Sequence, residues 1–115
     1  MQSKLATLAL FLIFLAGCST TPRESTLHLA KSSGFTEVRF PTEQFTLYGQ
    51  FRHGDREARK TLRVYIEGDG HAWSTRTRPS GDPTPRDPVG LRLAMADPSH
   101  DPLLYLARPC QLVTG

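Results

Sequence analysis

The chain has 115 residues, 38% of them hydrophobic, and its Lys and Arg outnumber Asp and Glu by fourteen to eleven, giving a formal net charge of +3. That length holds one small domain at most, since domains run from about 50 to 200 residues. Arg52, Arg56, Arg59, Lys60, Arg63, Arg76, Arg78 and Arg86 interleave with acids and form no basic stripe, and no reading motif accompanies them; they read as a solvated surface, and nucleic acid is not expected as a partner.

The chain opens with Lys4 and an apolar run from Leu5 to Ala16. That run is about 12 residues, against the ~20 that a membrane-spanning helix needs, and it has the layout of a signal-peptide core followed by small residues. Leu15-Ala16-Gly17-Cys18 resembles the lipobox of bacterial lipoproteins. The resemblance implies a diacylglyceryl group on the Cys18 sulfur, cleavage after Gly17 and acylation of the new amino end. Its plain alternative is an ordinary secreted protein with a chance Cys at the cut site. Ser19 follows where Asp would favour retention, so similarity to Gram-negative lipoproteins implies a cell-envelope protein on the outer membrane, facing the periplasm. The membrane is then a partner through the lipid on Cys18. Cys110, the only other cysteine, is left as an unpaired thiol. It is buried and inert, paired with another chain, or separated from a partner that is missing here.

Residues 18–33 are rich in small polar residues and read as a flexible tether. Strand candidates follow at Thr36–Phe40 and Phe45–Arg52, where Phe45, Leu47, Gly49 and Phe51 alternate with Thr46, Tyr48, Gln50 and Arg52. A polar connection, His53–Glu57, leads to Leu62, Val64 and Ile66, which alternate with Arg63, Tyr65 and Glu67. Period-two alternation predicts half-buried strands, here an antiparallel meander of three. The third runs into Gly68-Asp69-Gly70, where the backbone can turn sharply.

Prolines 79, 83, 85 and 88 make the stretch from Ser74 to Pro88 a loop. Asp87-Pro88 reads as an N-cap carboxylate with Pro at the first helical position, opening a short helix over Val89–Ala96 that stops before Pro98. Leu103–Ala107 is apolar on both faces, as in a strand buried from both sides. Strand, loop, helix and strand make a βαβ unit, so the fold class is α/β.

Tyr65-Ile66-Glu67-Gly68-Asp69-Gly70-His71-Ala72-Trp73, then Asp82-Pro83-Thr84-Pro85-Arg86-Asp87-Pro88, then Tyr105-Leu106-Ala107-Arg108-Pro109-Cys110-Gln111, together resemble the front end of bacterial lipoproteins with an α/β-hydrolase fold. The resemblance covers roughly residues 34–112. After the signal peptide over 1–17 and the tether over 18–33, it implies a partial hydrolase domain over 34–115. Its sheet is the N-terminal portion of a hydrolase sheet, antiparallel strands leading into the βαβ unit, and it is incomplete. In that superfamily the loop after the third strand supplies an oxyanion-hole N–H, which makes Gly68, Asp69 and Gly70 the candidates. Such a donor is worth about 3–4 kcal/mol to the transition state. The competing interpretation is that Gly-Asp-Gly only turns the chain.

No catalytic residue is assigned, because the nucleophile elbow Gly-x-Ser-x-Gly is absent: Ser33, Ser74, Ser80 and Ser99 all lack the flanking glycines. His71 is not the triad base, which comes last in the order Ser, acid, His; it is expected to be a loop residue packed with Trp73 against the sheet edge. Asp69-x-His71 is too sparse for a metal site, and neither metal nor cofactor is called for. The resemblance places the elbow, acid and base, and the disulfide partner of Cys110, beyond residue 115. One expectation is thus a lipid-anchored hydrolase front end, inactive alone, with a small-molecule ester as substrate only of a complete form. The alternative is a small envelope lipoprotein acting as a binding or assembly module.

Overall fold

The structure is a computed structural model that describes residues 19–55, 57 and 61–113. The signal peptide, Cys18, Arg56, Arg59 and Lys60 lie outside the described residues. The first element of the described residues is an unexpected one. Pro22–Ser32, within the segment expected to be a flexible tether, is a helix, α1. Its origin is local: the Thr21 hydroxyl accepts from the Glu24 amide while the Glu24 carboxylate accepts from the Thr21 amide, a complete capping box with Pro22 in the first turn. Thr26 and Ala30 then bury one face of it.

Strands β1 (Thr36–Pro41) and β2 (Thr46–Arg52) form an antiparallel pair, with Val38 opposite Gly49 and Arg39 opposite Tyr48. The meander does not continue. Strand β3 (Arg63–Ile66) does not pair with β2; β4 (Leu103–Leu106) lies between them, antiparallel to β2 and parallel to β3, giving the order β1-β2-β4-β3. Helix α2 (Val89–Ala96) connects β3 to β4, as parallel neighbours require. The βαβ unit is therefore present in a small mixed α/β fold.

Both helices cover the same face of the sheet. Registered positions share a face, so Tyr65, Tyr105, Gln50 and Glu37 stand on one side, and Ile66, Leu106, Gly49 and Val38 on the other. The core consists of Ala30 and Phe35 with Tyr48, Leu91, Ala94, Leu103, Tyr105, Ala107 and Leu112, all gathered on the tyrosine side. This reverses the burial suggested by the alternation. Tyr48 and Gln50 are the buried partners in β2, while Val64 and Ile66 in β3 are 47% and 65% exposed. Leu104 and Leu106 are only half-buried, so β4 is covered on one side, not both. Among the described residues neither helix reaches the apolar side of the sheet, which is left bare.

A polar cluster ties β3 to the end of α2. The Asp97 carboxylate accepts from the Tyr65 hydroxyl at 2.6 Å and the Ser99 amide at 2.7 Å, with Arg63 at 3.7 Å. The Tyr65 bond, then the Ser99 amide, hold its pKa down to about 2, below the ordinary Asp value of about 3.9. A depressed carboxylate stabilises the fold fully above its unfolded pKa, and that contribution disappears as pH falls from about 4 through 2. Asp97→Asn is expected to flatten this part of the acid limb in a plot of denaturant midpoint against pH. An unchanged slope between pH 5 and 2 would contradict the assignment.

Candidate functional site

The Gly-Asp-Gly turn sits where β3 ends and faces the start of α2. Gly68 and Gly70 line an open groove of about 400 Å³ with Ile66, Glu67, Pro85, Asp87 and Val89. Glu67 organises this junction. It is 6% exposed, and its carboxylate accepts from the Gly68 amide at 3.0 Å, the Gly90 amide at 3.1 Å and the Tyr105 hydroxyl at 3.0 Å. Burial, reinforced by Glu67, pushes the Tyr105 phenol upward, so it stays a proton donor.

This arrangement corrects the expected helix start. The observed N-cap is Pro88, without a side-chain cap, and the Asp87 carboxylate pairs outward with Arg92. Glu67, just past the end of β3, takes over the capping. A carboxylate there meets both the unsatisfied amides and the positive end of the helix dipole.

The candidate donors differ in availability. The Gly68 amide is held by Glu67 and the His71 amide by the Pro83 carbonyl at 3.0 Å. Asp69 and Gly70 amides have no acceptor among the described residues. Gly70 has φ +59°, and a Cβ there would stand 2.5 Å from the Pro83 carbonyl oxygen; Gly68 has open space around it. Glycine is structurally required at Gly70, and not at Gly68.

A C-terminal brace, not anticipated from sequence, fixes the turn from behind. Gln111, 1% exposed, donates to the Gly68 carbonyl at 3.0 Å and accepts from the Arg108 amide at 3.0 Å. Arg108 also pairs with the Asp69 carboxylate. Buried Thr84 accepts from the Leu112 amide at 2.9 Å, tying the proline-rich loop to the same brace. That loop is partly ordered: Trp73 bridges Pro79, and Ser80 donates to the Ala72 carbonyl. Trp73 itself is 59% exposed, where a packed position beside His71 at the sheet edge was expected.

Cys110 is a free, exposed thiol on this brace, with φ 68°. Among the described residues no cluster of His, Cys, Asp and Glu is arranged to hold a metal ion, and no helix is long and apolar enough to cross a membrane. The arrangement presents two free backbone donors on a braced turn beside an open groove. Among the described residues it brings no serine, acid and histidine together at that turn. No protein-family model, curated protein or solved structure matches the chain.

Proposed function

We propose that the chain is the lipid-anchored front part of an ester-type α/β-hydrolase of the bacterial envelope, acylated at Cys18 and inactive by itself. The observation that carries it is the turn Gly68–Gly70 at the carboxyl end of β3 in a parallel β3-α2-β4 unit, where open α/β sheets place their ligands. The free Asp69 and Gly70 amides suit a developing oxyanion, and Glu67 with Gln111 holds them in place. The open edge of β3 and the bare side of the sheet fit a domain whose further strands and helices come from additional chain. With no nucleophile elbow in the sequence, an ester-hydrolysis assay on this chain is expected to stay at background.

The bare apolar side equally suits a binding or assembly module, the second reading. Translating the DNA downstream of codon 115 separates them. A Gly-x-Ser-x-Gly after a predicted strand within a few tens of residues supports the hydrolase. Only non-coding sequence there favours the module. The anchor has its own test: Cys18→Ala should abolish lipid labelling and release the protein from membranes, and membrane retention without label would sink the assignment.

A further inference from the structure

Away from the Gly-Asp-Gly groove, a cavity of about 620 Å³ opens between α1 and the start of α2, with Thr20, Thr26, His28, Leu29, Arg86 and Arg92 among its walls. Its one other charged lining residue, Glu24, is already committed to the Thr21 amide at 2.9 Å. Arg86 has no acidic partner among the described residues, and Arg92 shares only the exposed Asp87. The Thr26 hydroxyl is buried and makes no hydrogen bond. A buried hydroxyl without a partner is costly, and Thr26 lines this cavity; rotation of its side chain to the other helical rotamer would offer the hydroxyl to an anion's oxygen there. Two guanidiniums, an imidazole and an unused hydroxyl around one space suit a phosphate, which guanidinium groups bind with charge-assisted hydrogen bonds. Leu29 and Pro88 supply apolar wall beside them.

Position names the source of that phosphate. Thr20 lines the cavity and lies two residues after Cys18, within about 7 Å of extended chain. We propose that this cavity binds the phosphate of an anionic phospholipid headgroup, seating the domain on the bilayer that carries its lipid. The lipid source rests on acylation of Cys18; the phosphate chemistry does not.

Calorimetric titration with monomeric dihexanoyl-phosphatidylglycerol tests it on the full chain and on Cys18→Ala. Both should bind, and Arg86→Gln or Arg92→Gln should each weaken binding about tenfold. Thr26→Val should also weaken it while leaving thermal stability equal or higher, which a purely structural threonine would not do. Absence of binding, or affinity untouched by all three substitutions, overturns the proposal. Inorganic phosphate binding as tightly as the lipid makes this a free-phosphate site and overturns the headgroup assignment. Headgroup binding by a chain whose mass shows no acyl group supports the cavity and fails the anchor alone, so the two failures are distinguishable.

Discussion

Glu67→Ala is expected to lower the midpoint of thermal unfolding by about 10–20 °C, from a loss of roughly 2–3 kcal/mol in a small domain. The Glu67 carboxylate accepts three hydrogen bonds. Two of its donors, the Gly90 amide and the Tyr105 hydroxyl, lie where water cannot replace the lost partner. Removing one side of a buried network costs more than the network's net contribution. Glu67→Gln keeps an acceptor oxygen and should lose much less. Adding Tyr105→Phe to Glu67→Ala should recover part of the loss, because the second change deletes a stranded donor. A melting midpoint for Glu67→Ala within about 3 °C of the parent would show that Glu67 does not hold the junction.

Gly70→Ala should be comparably damaging, at about 2–4 kcal/mol. The left-handed φ of +59° costs any L side chain something, and the added Cβ meets the Pro83 oxygen at 2.5 Å and the Gln111 amide nitrogen at 2.9 Å. Neither neighbour moves freely, since the Pro83 carbonyl accepts the His71 amide and Gln111 is buried in the brace. Gly68→Ala is the control: nothing lies within 4 Å of its Cβ position, so stability should change by less than about 0.5 kcal/mol. Chemical denaturation of the two variants side by side checks the contrast. Equal losses would mean that the turn tolerates or rejects side chains for some reason other than this contact.

Local chemistry was the part of this fold that sequence made legible. Alternation located β2 and β3 to within a residue, and Pro88 and Pro98 bracketed α2. The capping box of α1 was also local, as Thr21-x-x-Glu24 is a recognisable helix start, but the small polar residues around it suggested a tether. Which side of each strand would be covered was a different kind of question. Val64 and Ile66 carry the apolar pattern, yet α2 packs over Tyr65 and Glu67 because the crossover to β4 runs on that side. Pairing order also depends on contacts distant in sequence, and β4 displaces the expected β2–β3 hairpin. At the candidate site the Gly-Asp-Gly turn was visible from composition. Its supports were not: Glu67 reaches Gly90 and Tyr105, Gln111 reaches Gly68, and Thr84 reaches Leu112, each across many residues.

The bare side of the sheet takes on another meaning once the domain is attached to a membrane. On the proposed anchor, copies diffuse in two dimensions, so encounters depend on their density in the leaflet and not on total abundance. Val64, Ile66, Leu104 and Leu106 of one copy can then meet those of a neighbour at expression levels that would keep a free domain dispersed. Edge strands and apolar patches of this kind recruit whatever apolar surface is nearest. Clustering should therefore appear first in membranes crowded with this protein and fade when the same number of molecules is spread over more bilayer.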